Sequence, residues 1–294
     1  MLFMGKLKMW IFATRPKTLW AAVSPVIIGI AMAYEVGMVH WAPAFITVLT
    51  AVLIQIGTNF ANDYYDYIKG ADTEERHGPQ RLTQAKLVKP QTMKKAFIAV
   101  FTVAFLCGLY LVFAGGWPVL VIGLLSILFG ILYTGGPYPL GYNGLGDIFV
   151  VIFFGPVAVG GTYYINTHQI NVLVLIAGIA PGLIASAVLV VNNLRDIKTD
   201  AKAGKKTLAV RFGERFTQWE YLFLLLFSAL IPFIVYALSR KNLYVLSASL
   251  FLVPALPVIK KIFSEKGSAL NAALGDTGKL LLIYSVLFSA GWLF

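Results

Sequence analysis

Charge is what this sequence has least of. Charged residues make up 13% of its 294 positions, against roughly 25% in an average soluble domain. A chain so poor in charge cannot cover itself with polar surface, which argues against both a soluble globular domain and a disordered segment. Acids are the scarcer sign: 13 Asp and Glu stand against 24 Lys and Arg, for a formal net charge of +11. Cysteine is nearly absent. Cys107 stands alone, so no disulfide can close within the chain and no cysteine cage can hold a metal. His40, His77 and His168 are scattered and form no metal set. Alternation of apolar and polar residues is also missing, which argues against a membrane β-barrel.

What is present is apolar. Hydrophobic residues make up 59% of the chain and the mean hydropathy is +0.78. Runs long enough to approach or cross a hydrocarbon core of roughly 30 Å occur nine times, at about 19–34, 42–65, 96–114, 118–133, 146–165, 170–194, 219–238, 243–259 and 270–294. In lipid each backbone amide must be satisfied within its own segment, so these runs are helices. The expected fold is all-α: a polytopic integral membrane protein of about nine transmembrane helices around a polar cavity, a single domain over 1–294. The basic residues set its orientation. With a cytoplasmic N-terminus, the long loops 67–95 and 195–218 fall on that side with seven Lys and Arg each, and only Arg240 and Lys241 fall outside. Glu35 is the one acid expected outside. This asymmetry predicts a cell-membrane protein with its C-terminus outside and its cavity opening to the cytoplasm. It also explains the positive charge without nucleic acid, and no obligate protein partner is expected.

The scarce acids are clustered. Asn59, Asn62, Asp63 and Asp66 share one helical face at the end of the second run, and Asp72 follows. Asn192, Asp196 and Asp200, with Asn193 alongside, repeat the pattern at the end of the sixth. Carboxylates at a membrane span cost several kcal/mol unless paired and mark function by default. Clustered Asp and Asn oxygens are hard ligands that suit Mg²⁺, which leaves coordination positions open to substrate phosphates. Nearby Lys and Arg would hold the remaining phosphate charge.

The paired motif Asn62-Asp63-x-x-Asp66 and Asn193-x-x-Asp196-x-x-x-Asp200 resembles the UbiA superfamily of intramembrane prenyltransferases. Further residues carry the resemblance toward its 1,4-dihydroxy-2-naphthoate polyprenyltransferase branch. These are Arg15-Pro16-Lys17-Thr18, Gly70-x-Asp72, Glu75-Arg76-x-Gly78-Pro79-x-Arg81, Tyr133-Thr134-Gly135-Gly136-Pro137 and Gly144-Leu145-Gly146-Asp147. Where the superfamily's first motif usually ends in Asp, this chain has Gly70, and Asp72 is the replacement. The stretch from Tyr133 to Leu145 contains no Lys or Arg, unlike the 4-hydroxybenzoate branch.

The resemblance implies Mg²⁺-dependent transfer of a polyprenyl group from polyprenyl diphosphate to 1,4-dihydroxy-2-naphthoate, with loss of diphosphate and CO₂, on the route to demethylmenaquinone. It implies metal ligation by Asn62, Asp63, Asp66, Asp72, Asn193, Asp196 and Asp200. Asp66, Asp196, Arg76 and Tyr133 are the catalytic candidates. Arg15, Lys17, Asn59, Tyr65, Arg81, Asn192 and Lys206 are the substrate-binding candidates, with Lys205 beside them. Tyr64, Tyr65 and Tyr133 offer ring faces to an allylic cation. Loop 67–95 is long enough to act as a lid. Asp147 reads as a helix cap and Asn271 as a partner for another helix. Two alternatives stay open: a sister prenyltransferase with another acceptor, and a cation-coupled transporter.

Overall fold

The computed structural model describes residues 5–72 and 78–294, and among them the secondary structure is helical throughout. The helices are α1 (Lys6–Ala13), α2 (Pro16–Glu35), α3 (Trp41–Ile68), α4 (Pro90–Gly115), α5 (Trp117–Leu132), α6 (Gly146–Ile152), α7 (Ala158–Thr167), α8 (Val172–Lys202), α9 (Leu208–Ser239), α10 (Leu252–Ser264) and α11 (Leu270–Leu293). A π-turn, Phe153–Val157, joins α6 to α7, and a 3₁₀ segment, Leu243–Phe251, leads into α10. Among the described residues, eight segments are long and apolar enough to cross a membrane and the shorter α5 makes nine, as the apolar runs lead one to expect. The protein is therefore a multi-pass membrane protein.

Helix length separates the two ends of the bundle. At about 1.5 Å per residue, the 28 residues of α3 and the 31 of α8 outrun a hydrocarbon core of roughly 30 Å by two turns or more. The overhanging turns carry the Asn and Asp clusters, so those acids lie near the interface rather than at the membrane centre. The opposite end carries an aromatic belt, with Tyr34 and Trp41 rings 6.3 Å apart. It also carries an ion pair between Lys241 and Glu35 at 2.7 Å. These two charges, expected together outside, share one end of the molecule.

Three local features depart from the sequence reading. α1 is a separate helix, too short to span, with Leu7 and Ile11 exposed and Trp10 packed edge-on to Phe60. Arg15, in the left-handed conformation at φ 53°, turns the chain into α2. The expected span 146–165 is broken at Gly155 and Pro156, because proline supplies no N–H to the helical ladder. Asp147 is not a cap: α6 starts at Gly146 and Asp147 faces α8, where the Ser186 hydroxyl donates to it at 3.4 Å.

The core is centred on α8, whose small residues Ala177, Ala180 and Ala187 are fully buried against neighbouring helices. Small residues let backbones approach where lipid provides no hydrophobic drive. On α8 the closest approach is Gly178-x-x-x-Gly182 against the broken span. A Cβ on Gly178 would stand 2.9 Å from the Pro156 Cα, and one on Gly182 would collide with the Val151 carbonyl. Backbone cannot yield as a side chain can, so Gly182→Ala should destabilise the protein by about 1–3 kcal/mol. Thermal unfolding in detergent measures this. Gly108→Ala, with no atom within 4 Å of its Cβ position, should not lower the midpoint.

Candidate functional site

The overhanging ends of α3 and α8 meet across a cavity of about 360 Å³. Asn59, Asn62 and Asp66 line it from α3, and Asn192, Asn193 and Asp200 from α8. Arg15, Arg81, Tyr133, Tyr142 and Lys205 complete this polar end. Away from it the walls turn mostly apolar, with Thr47, Thr50, Gln55, Thr58 and Ser126 among the uncharged polar exceptions. The lining of α3 continues through Ile54 and Thr50 to Thr47, and that of α5 through Phe129 and Ile122 to Val119. Thr47 and Asp66 lie about 28 Å apart along α3 at ~1.5 Å per residue. One cavity thus joins a charged head region to a long apolar wall.

Each carboxylate at the polar end meets a cation or a donor. Arg81 reaches Asp66 at 2.5 Å and Asp72 at 3.0 Å, and also donates to the Asn62 carbonyl. Burial alone would weaken the charged guanidinium, but the carboxylates of Asp66, Asp72 and Asp63 outweigh it and hold Arg81 protonated. The Tyr142 hydroxyl donates to Asp66 at 2.5 Å. Burial, reinforced by the Asp66 charge and this hydrogen bond, pushes the Tyr142 phenol well above its ordinary value. Burial likewise raises Tyr133, and the charges of Asp147, Asp66 and Asp200 add to it. Both phenols therefore stay protonated donors at neutral pH. At the end of α8, Asp200 pairs with Lys205 of the following turn at 3.0 Å. Arg195 grips the neighbouring Asp196 through Nε at 2.9 Å and Nη2 at 2.5 Å. It also donates to Asn192 at 2.6 Å and to Asn271 at 2.9 Å, which gives Asn271 its expected interhelical partner.

The sequence candidates separate accordingly. Asp63 is turned away from the cavity. Its carboxylate accepts from the Leu82 N–H at 3.0 Å, the Thr83 N–H at 3.3 Å and the Thr83 hydroxyl, so it anchors the loop in place of lining the metal region. Within loop residues 78–88, Arg81, Leu82 and Thr83 are accordingly buried. Arg76 lies outside the described residues. Of the adjacent lysines, Lys205 lines the cavity, while Lys206 is exposed and gives only its N–H to the Tyr142 carbonyl at 2.6 Å. Lys17 is exposed, with its side chain along Gly275 of α11. Tyr65 packs with Tyr64 at 5.0 Å and Phe97 at 5.9 Å, outside the cavity wall; Tyr133 lies within it. Asn59 donates to the Thr14 carbonyl at 2.9 Å, tying the α1–α2 junction to the site.

Sequence reasoning missed Tyr142 and Lys69, and it gave Arg195, within the motif Asn192-Asn193-x-Arg195-Asp196, no role of its own. Lys69 follows Asp66 by three positions, a helical-neighbour signal. Its Nζ donates to the Thr134 and Gly136 carbonyls at 2.8 and 3.2 Å, and burial lowers its pKa more than Asp66 raises it. The loop that contains no Lys or Arg is therefore supplied with a cation from α3. Tyr142 sits in a Gly- and Pro-rich loop where no periodicity points to it.

Among the described residues, no three His, Cys, Asp or Glu side chains converge as a ready-made metal cage. The donor set nevertheless suits a hard cation. Asp66, Asp200, Asn62 and Asn193 present only oxygen ligands of the right kind to one cavity, and Mg²⁺ needs one or two carboxylates when phosphates supply the rest.

The anchor role of Asp63 has a test of its own. Asp63→Ala leaves two buried backbone donors without an acceptor, at about 1–3 kcal/mol for such a loss. The thermal midpoint should fall and proteolysis within 78–88 should accelerate. An unchanged midpoint and unchanged cleavage would leave the anchor without support.

Comparison with known proteins fits this geometry. Residues 22–293 match the UbiA prenyltransferase family. The chain is 39% identical to the 1,4-dihydroxy-2-naphthoate octaprenyltransferase of Haemophilus influenzae, over 98% of this chain and 96% of that protein. It is 38% identical to the enzyme of the same name from Escherichia coli, over 96% and 94%. Among solved structures, a UbiA homologue from Archaeoglobus fulgidus bound to DMAPP and Mg²⁺ superposes with a TM-score of 0.69 at 14% identity, covering 95% of this chain and 99% of that one. The chain belongs to the UbiA prenyltransferase family.

Proposed function

We propose that this protein transfers a polyprenyl group from polyprenyl diphosphate to 1,4-dihydroxy-2-naphthoate, releasing diphosphate and CO₂, in menaquinone biosynthesis. The observation that carries the reading is the single cavity with an Asp- and Asn-lined head and an apolar wall. That profile matches a substrate with a highly charged head and a long hydrocarbon tail. The names of the relatives support the acceptor, and the whole of 1–294 serves as one unit. The protein would sit in the cell membrane with the polar mouth and the N-terminus cytoplasmic and the C-terminus outside, as its basic loops require.

The chemistry follows from the residues. Asp66 and Asp200, with Asn62 and Asn193 and with Asp196 one turn before Asp200 on α8, would hold Mg²⁺, and the ion would supply positive charge against the diphosphate leaving group. Arg81 and Lys205, already beside those carboxylates, would turn to the phosphate oxygens. Tyr133, a protonated phenol between the two clusters, would donate to the leaving oxygen or offer its ring face to the allylic carbon. The phenyl rings of Phe129, Phe149 and Phe153, with centroids 4.8 to 6.3 Å apart in the cavity wall, would border the reacting carbon or the acceptor ring. The new C–C bond forms at the ring carbon whose carboxylate departs as CO₂.

A transporter is disfavoured by where the charged groups lie. They line one end of the cavity, whereas coupling sites of transporters lie near the membrane midplane. A sister acceptor is the nearer alternative. Lys69 supplies a cation to the loop that contains no Lys or Arg, so the choice between acceptors turns on where that cation is held.

Two outcomes test the reading. Asp66→Asn and Asp196→Asn should each lower kcat by about 10²-fold or more, if charge neutralisation supplies several kcal/mol. The protein should stay folded, as circular dichroism would verify. Near-normal turnover in either variant would remove that residue from the metal assignment. With purified protein, prenyl diphosphate and Mg²⁺, kcat/KM should favour 1,4-dihydroxy-2-naphthoate over 4-hydroxybenzoate, with CO₂ released. The reverse preference would reject this acceptor and leave the family membership intact.

A further inference from the structure

Tyr142 holds more of the site together than any other aromatic residue in it. It ends a short 3₁₀ turn, Leu140–Tyr142, in the loop between α5 and α6. Its hydroxyl donates to Asp66, at 2.5 Å. Two ammonium groups flank its ring, Lys69 Nζ 5.1 Å and Lys205 Nζ 4.9 Å from the centroid. Lys69 belongs to the end of α3, and Lys205, paired with Asp200 at 3.0 Å, belongs to the turn after α8. The main-chain oxygen of Tyr142 accepts from the Lys206 N–H at 2.6 Å. One residue therefore ties the first Asp cluster to the second at the polar end of the cavity it lines. Two like charges on one ring are tolerated because Asp66 and Asp200 lie beside them and because an aromatic face attracts cations.

We propose that Tyr142 is a positioning residue that closes the polar mouth against water. Its hydroxyl sets the orientation of Asp66, and its ring, clasped by Lys69 and Lys205, covers the head of the cavity. This inference rests on the prenyl-transfer reading. In that reaction the C1–O bond of the prenyl diphosphate breaks and diphosphate takes the electron pair. Carbon C1 is then attacked either by the acceptor ring or by water. Attack by water forms a C1–O bond to the water oxygen, yields the prenyl alcohol and passes a proton to solvent or diphosphate. A dry mouth favours the first path. The hydroxyl and the ring thus make separable contributions. The first should affect rate and the second the partition between products.

The experiment uses purified full-length protein in nanodiscs with prenyl diphosphate, Mg²⁺ and 1,4-dihydroxy-2-naphthoate in ¹⁸O-water. Prenylated acceptor and prenyl alcohol are quantified by mass spectrometry. Only alcohol carrying ¹⁸O arises by attack at C1. Tyr142→Phe keeps the ring and loses one hydrogen bond, so kcat should fall about three- to tenfold with the ¹⁸O-alcohol share unchanged. Tyr142→Ala opens the mouth, and the ¹⁸O-alcohol share should rise about tenfold. Tyr142→Leu, which fills most of the volume without a π face for the lysines, should also raise that share and serves where the alanine variant does not fold. A folded Ala or Leu variant with the wild-type alcohol share would overturn the proposal. So would a Phe variant that leaks as much alcohol as Ala. Wild-type protein that consumes no prenyl diphosphate would instead defeat the prenyl-transfer reading itself, and this inference with it.

Discussion

Carboxylates buried at the end of an apolar bundle must be neutralised, because a lone charge in such surroundings costs several kcal/mol. The structure meets this demand five times within one region. Asp63 takes two backbone N–H groups, Asp66 and Asp72 share Arg81, Asp196 takes Arg195 and Asp200 takes Lys205. Much of the local architecture follows. The chain after α3 folds back so that Arg81 reaches its two acids, and the turn after α8 closes so that Lys205 reaches Asp200. The loop after α5 dips inward, with Thr134 and Leu140 buried, to bring Tyr142 to Asp66. Stability and function draw on the same charges here. A substrate that brings phosphates together with hard cations offers every one of these groups a replacement partner of the right sign.

The bundle supplies what the charges need from outside. α3 and α8 are long enough to carry their acids out of the hydrocarbon core, while their middle turns remain apolar. The broken span at Gly155 and Pro156 sets Phe149 and Phe153 in the cavity wall next to Phe129. That break is affordable in lipid because α8 packs on it through Gly178 and Gly182, backbone against backbone. The glycine contact and the aromatic wall are thus two consequences of one kink.

Periodicity and composition made most of the fold legible. Apolar runs mark the nine spans, and the acids at matching places on the second and sixth runs mark the two sides of the site. Three things were not legible, each for a physical reason. A face of Asn and Asp tells which side chains are neighbours, but Asp63 and Asp66 point to different partners because one meets the returning loop and the other the cavity. Adjacent lysines cannot be told apart by charge, and only the turn after α8 decides that Lys205 faces inward and Lys206 outward. The Tyr142 loop has no repeat to read, and its role arises from contacts with residues more than sixty positions away.

The case of Lys69 shows how a missing residue in sequence can be present in space. The stretch from Tyr133 to Leu145 contains no Lys or Arg, yet the Lys69 ammonium rests on two of its carbonyls and against the ring of Tyr142. A cation is therefore available at this loop whether the loop or the end of α3 provides it. What changes is its position and its freedom. A lysine held by two carbonyls and a ring is less able to swing toward an acceptor carboxylate than one at a loop tip. Acceptor choice in this site would then rest on where the cation is fixed and on the aromatic wall opposite, and not on whether a cation exists. The far end bears on the same point. There Leu111, Val119 and Ile165 pack together as a buried apolar cluster that also lines the cavity. A cavity with its charges gathered at one end and a mostly apolar wall beyond them suits an amphiphile held with its head among those charges and its tail along the wall.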